Sequence, residues 1–260
     1  MKRIKLTIAY DGTAYCGWQK QEGAVTVQQK VEEAIHRLTR ENAELIGASR
    51  TDAGVHALGN VAVFDTEATI PGERYTPALN SFLPDDIRIM ASEETASDFH
   101  PRFDAHRKRY EYHIVTGEVC SPLDTRYAYY LRENPDVSAM NEMAAFAVGT
   151  HDFTSFCAAG AQVRSKVRTI TELSVTEHDG HIVVAVEGDG FLYNMVRILV
   201  GTLLLAGLHR KMPAEMQDIL EACDRTKAGP TAPANGLRLC RIWYEGRRDR
   251  KNRILQRNSF

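Results

Sequence analysis

The chain is short of the features that most often assign a protein to a class. Its five cysteines, Cys16, Cys120, Cys157, Cys223 and Cys240, are scattered, odd in number and include no Cys-x-x-Cys pair. That spacing argues against a zinc site or a disulfide framework and for a reducing, cytoplasmic setting. The nine histidines show no His-Glu-x-x-His or similar ligand spacing. Formal net charge is only -2, so nothing global announces a nucleic-acid binder and local clusters must carry any such role. The opening MKRIKLTIAY reaches the polar Tyr-Asp-Gly too soon for a signal peptide. One apolar run, residues 191–208, is long enough to raise a membrane helix, but Asn194 and Arg197 sit inside it. An arginine there is expensive in lipid. The run therefore reads as a buried core helix, whose Arg197 needs a buried partner.

What is present is an ordinary globular chain of 260 residues, long enough for two modest domains or one large one. Residues 2–10 alternate as a strand, with Ile4, Leu6 and Ile8 on one face. Thr26 suits the N-cap of a helix over about 27–40, where Val31, Ala34, Ile35 and Leu38 recur at helical spacing. NVAVFDT and IRIMASEE read as further strands, with a short helix between them. From about residue 102 the pattern changes to a basic approach, RFDAHRKRYEYHIV, into an alternating strand. Asp136 or Ser138 can cap a helix running to about Val148, and Asp179-Gly180 between two strand-like runs is a strong hairpin signal. The apolar helix follows, then a short helix near 214–223 and a last strand, GLRLCRIWYE. These elements predict an α+β protein of two halves, 1–105 and 106–246, with mixed, mainly antiparallel sheet around a central cleft. Residues 247–260 form a polar tail with six basic side chains against Asp249 alone.

Chemistry concentrates in three places. SRTDAGVHA (49–57) puts Arg50 and Asp52 on a tight, small-residue loop between apolar runs. Asp52 can be a turn residue that bonds its own backbone. It can also be an ionised carboxylate nucleophile kept charged by a nearby cation. Arg197 can tie its helix down or supply that cation; one Asp52–Arg197 pair meets both needs. In RKRYEYH, Arg107, Lys108 and Arg109 lead directly into Tyr110 and Tyr112, which share one face of a strand. That pattern suits an aromatic core face with a solvated basic edge. It also suits an RNA contact, with cations for phosphates and a ring for stacking a base.

Seven motifs, in order and spanning nearly the whole chain, carry a resemblance. They are YDGTAYCGWQKQ (10–21), TVQQKVEEAI (26–35), SRTDAGVHA, RKRYEYHI (107–114), HDFTSFC (151–157), FLYNMVRILVG (191–201) and APANGLRL (232–239). Together they resemble the tRNA pseudouridine synthase A family, which acts on the tRNA anticodon arm. The resemblance implies two RRM-like halves, a catalytic cleft, a homodimer, no cofactor or metal, and no membrane. It implies isomerisation of uridine to pseudouridine at tRNA positions 38, 39 and 40. By the same resemblance Asp52 is the nucleophile, Tyr110 packs against the target uracil, and Arg197 is the arginine partner of the aspartate. Arg50 precedes the aspartate and Leu237 lines the uracil pocket. Ser49 stands where many members have glycine, and the tail beyond Tyr244 lies outside the family motifs.

Other classes explain less. An RNA-binding module without chemistry needs the basic strand and both halves, but not Asp52 and Arg197 in apolar surroundings. An aspartate-dependent phosphotransferase needs an Asp-x-Asp metal pair at this loop or a P-loop, and the chain has neither.

Overall fold

The structure, a computed structural model, describes residues 1–160 and 163–244. The basic tail, 247–260, lies outside the described residues. The fold is mixed α/β with mostly antiparallel sheet. Two compact units divide the described chain: Met1–Lys108 together with residues 240–244, and Arg109–Leu239.

In the first unit, alternation decides which side of β1 (Lys2–Tyr10) is core: Ile4, Leu6, Ile8 and Tyr10 are buried and their neighbours are not. α1 (Val27–Thr39) starts where Thr26 accepts a bond from the Gln29 N–H, satisfying one of the helix's orphan donors. It ends at Arg40 in a left-handed conformation and buries Val27, Val31, Ala34 and Ile35, the face that the spacing predicts. Full burial of a Val or Ile side chain contributes about 1.5–3 kcal/mol. A two-residue strand, β2 (Ile46–Gly47), precedes β3 (His56–Thr66). β3 begins earlier than NVAVFDT suggests, which shortens the loop that carries Asp52. α2 (Tyr75–Asn80) lies against β4 (Ile87–Thr95). The strand order here is β4-β1-β3, antiparallel throughout, with β2 on β3.

In the second unit, β5 (Ala105–Thr116), which begins in the first, buries Tyr110, Tyr112 and Ile114 on one face. β6 (Tyr129–Leu131) pairs with it in parallel. α3 (Val137–Ala145) is capped by Asp136, which accepts from the Ser138 and Ala139 N–H groups. β7 (Gly149–Asp152), β8 (Val167–His178) and β9 (His181–Gly188) continue the sheet in the order β5-β9-β8-β7. Asp179 and Gly180 both hold positive φ, 49° and 75°, as a tight two-residue hairpin loop requires. α4 (Met195–Gly207) buries 11 of its 13 residues. At ~20 Å it is shorter than a bilayer core. Among the described residues no helix is long and apolar enough to cross a membrane. α5 (Glu215–Ala222) follows. β10 (Leu237–Tyr244) leaves the second unit after Leu239 and finishes in the first, so that unit ends seven residues before the boundary at 246 that the sequence suggests.

Candidate active site

The loop of residues 48–55 is bound from several sides within the first unit. The Lys108 ammonium donates to the Ala48 carbonyl and to Ser49 Oγ, both at 2.8 Å. Asn60, fully buried in β3, donates to the Ser49 carbonyl at 3.0 Å. The hydroxyls of Tyr10 and Thr51 lie 2.7 Å apart. The backbone N–H of Trp18 donates to the Thr51 carbonyl at 3.0 Å, and the backbone N–H of Val55 closes the turn onto the Asp52 carbonyl at 3.1 Å. Gly17 presses on the same segment: its φ is +86°, and a Cβ there would sit 2.6 Å from the Thr51 carbonyl oxygen. Buried polar groups need partners, and here the partners fix the backbone on both sides of one carboxylate. Asp52 itself is half-buried, Arg50 is exposed, and Ser49 and Thr51 are buried. The arrangement delivers a carboxylate to the surface of a rigid turn.

In the second unit Tyr110 is 8% exposed, with the Phe191 ring edge-on at 5.2 Å. Such a pair contributes about 0.5–1.5 kcal/mol beyond its buried area. Arg197 sits in the first turn of α4. Its Nε donates to the Ala232 carbonyl at 2.7 Å and its Nη1 to Asn194 Oδ1 at 2.9 Å, while the Ala232 N–H returns to the Arg197 carbonyl at 3.1 Å. The segment that brings Ala232 there can approach because position 201 is glycine; a Cβ would meet the Pro230 oxygen at 1.8 Å. Tyr112 donates to the Pro233 carbonyl at 2.8 Å. Burial pushes its phenol pKa up, and the Arg197 charge pulls the other way. Leu237 is buried at the start of β10.

The three cations before Tyr110 separate. Lys108 serves the Asp52 loop. The Arg107 guanidinium lies 4.1 Å from the centre of the Trp243 ring, with Arg241 at 5.1 Å from the same ring. Arg109 is committed to carboxylates: Glu187 at 3.1 Å, Glu111 at 3.2 Å and Glu172 at 3.7 Å. The bond with Glu187 is the chief reason the Arg109 pKa is raised. Glu187 is buried, and a buried carboxylate is costly unless paired. Arg109 thus answers a structural need within its own unit, whereas its sequence context reads as a phosphate contact.

A family model described as tRNA pseudouridine synthase matches residues 6–104 and 143–245. The tRNA pseudouridine synthase A of Acetivibrio thermocellus is 48% identical over 244 residues, covering 94% of this chain and 100% of the relative. That of Brevibacillus brevis is also 48% identical with the same coverage. The tRNA pseudouridine synthase A 2 of Clostridium tetani is 46% identical over 245 residues, covering 94% and 99%. The chain belongs to the tRNA pseudouridine synthase A family. It is an isomerase that makes pseudouridine in tRNA. The first stretch matched by the family model holds the Asp52 loop and the second holds Arg197 and Leu237; Tyr110 falls between them. For this family member, sequence reasoning missed the supports of the site. Tyr10, Trp18, Gly17 and Asn60 hold the Asp52 loop, and Phe191 and Asn194 hold Tyr110 and Arg197. The available signals were glycine and aromatic residues in YDGTAYCGWQ and a lone asparagine opening an apolar strand.

Proposed function

We propose that this pseudouridine synthase acts on uridines 38, 39 and 40 of the tRNA anticodon stem-loop, with Asp52 as its nucleophile. The observation that carries the reading is the set of buried and half-buried hydrogen bonds that fixes the backbone around a half-buried Asp52. Preorganised groups spend little energy on reorganisation during reaction. The target base leaves its stack to reach the carboxylate. The N1–C1′ bond breaks, the uracil turns, and C5 bonds to C1′. C5 loses its proton and N1 gains one, so the step is balanced with no oxidant, no reductant and no added group. Asp52 attacks either C6 of the ring or C1′ of the sugar. Arg197 keeps the carboxylate ionised and oriented, and Tyr110 holds the ring. Leu237 gives the uracil an apolar wall, and Arg50 and Arg107 meet the RNA backbone.

The same reading takes the two units as RRM-like halves, supported by the antiparallel strands and the flanking helices that each contains. It takes the enzyme as a homodimer that works on tRNA in the cytoplasm, away from membranes. The test is tritium release from tRNA carrying C5-labelled uridine, with substrates that keep a single uridine at 38, 39 or 40. The wild type releases tritium from all three. Asp52→Asn binds tRNA and releases none, because the amide is neither a nucleophile nor an anion for Arg197. Turnover by Asp52→Asn within tenfold of wild type would sink the assignment, and release from uridines elsewhere alone would sink the positions.

A further inference from the structure

We propose that Lys108 is a positioning residue for the reaction: its ammonium holds the Asp52 loop in place rather than binding an RNA phosphate. The inference rests on the reading of Asp52 as nucleophile. In the chain Lys108 stands between Arg107 and Arg109 and shares their basic context, yet the three side chains have different surroundings. At least two of the three ammonium donors are spent inside the protein, on the Ala48 carbonyl and on Ser49 Oγ, each at 2.8 Å. Both acceptor residues are buried, Ala48 at 2% and Ser49 at 6% exposure.

Hydrogen bonds from a charged donor are about twice as strong as neutral ones. These two grip the loop three and four residues before Asp52. The Asn60 amide holds the Ser49 carbonyl, and Tyr10 and Trp18 hold Thr51. The backbone thus reaches Asp52 under restraint at Ala48, Ser49 and Thr51, leaving the exposed Arg50 between them. The position of Lys108 on β5 adds a second consequence. Lys108 and Tyr110 are two residues apart on one strand, so their side chains leave it on the same face.

The two jobs open to Lys108 have opposite kinetic signatures. A phosphate contact changes affinity and its salt dependence; a positioning residue changes the rate of the bound complex. The experiment compares Lys108→Met, which keeps an apolar stem and loses every donor, with wild type in single turnover at saturating tRNA. Alongside it, tRNA binding is measured over a range of salt concentrations. We expect a rate at least tenfold lower, with the dissociation constant within twofold and the log–log salt slope unchanged. An unchanged saturated rate with weaker binding and a slope smaller by roughly 0.7–0.9 would make Lys108 a phosphate contact and overturn the proposal. Ser49→Ala removes one acceptor and leaves the lysine in place, so it decides the matter should Lys108→Met fail to fold. A rate loss of about threefold or more at unchanged affinity supports positioning, and no rate loss overturns it. Asp52→Asn in the same assay keeps the two readings apart. Full turnover by that variant removes the nucleophile assignment whatever Lys108 does.

Discussion

Asn194 holds the Arg197 guanidinium through a 2.9 Å bond from Nη1 to Oδ1, and it does so from a left-handed backbone, φ 59° and ψ 8°. Asparagine tolerates that region better than most residues. At a helix start its side chain ordinarily caps a backbone N–H, but here it makes no cap bond and turns to the arginine instead. Glycine adopts the same backbone at no steric cost. Asn194→Gly is therefore expected to leave the thermal midpoint near that of wild type while the single-turnover rate falls at least tenfold. A hydrogen bond to a charged group contributes about 1.5–3 kcal/mol. A wild-type rate in a folded variant would show that Arg197 needs no such anchor.

Tyr110→Phe separates two jobs that one side chain can hold. Stacking needs only the ring and is worth about 1–3 kcal/mol per base by alanine substitution. Proton transfer at C5 needs the hydroxyl. The edge contact with Phe191 survives in the Phe variant, since it uses the ring alone. We expect Tyr110→Phe to bind tRNA normally and to stall after the glycosidic bond breaks, with an intermediate trapped on the enzyme. Denaturing gels and mass spectrometry of the RNA would reveal it. Near-normal tritium release would leave Tyr110 as a platform only.

Two glycines with similar backbones offer a paired test of the loop's support. Gly17 and Gly23 both have positive φ, +86° and +74°, but a Cβ at Gly17 meets the Thr51 and Asp52 backbone, whereas one at Gly23 meets nothing within 4 Å. Alanine at either site carries backbone strain of about 1–3 kcal/mol. Only Gly17→Ala is expected also to displace the loop and cut the rate by tenfold or more. Urea denaturation and single-turnover assays on both variants check this. Equal rates in the two would mean that the Asp52 loop tolerates the shift.

Acid stability is expected to depend on the cross-strand pair of Arg3 and Asp65. These residues face each other in the β1–β3 register and bond twice, Nε to Oδ1 at 2.8 Å and Nη2 to Oδ2 at 2.7 Å. The bond from Arg3 holds the Asp65 carboxyl below its ordinary value. A depressed carboxyl pKa stabilises the fold above the unfolded value, near 3.9 for Asp, and that contribution is lost as pH falls through the folded value. Asp65→Asn should cost about 1 kcal/mol at pH 7 and progressively less below pH 4. Urea melts at pH 7, 5 and 3.5 check the trend; a gap that widens on acidification would contradict it.

Local chemistry was legible wherever neighbours in the chain decide the outcome. Thr26 and Asp136 cap their helices, the alternation in β1 marks its buried face, and Asp179-Gly180 turns the hairpin, because each depends on a few adjacent dihedrals and hydrogen bonds. The short strands β2, β6 and β7 were not legible, since two to four residues carry too little period and their pairing comes from distant partners.

The family is readable from the chain alone, because seven spaced motifs survive in order whatever their contacts, and with it the expected roles of Asp52, Tyr110 and Arg197. The surroundings of each basic side chain before Tyr110 come from tertiary structure alone. Side chains alternate across β5, and the partners of Arg107, Lys108 and Arg109 come from β10, the Asp52 loop and β9 with β8, tens of residues or more away. Three adjacent cations look alike in a string of letters. Their surroundings diverge because contacts form in space, with a tryptophan face, with buried loop oxygens and with a buried glutamate, each where the chain happens to return.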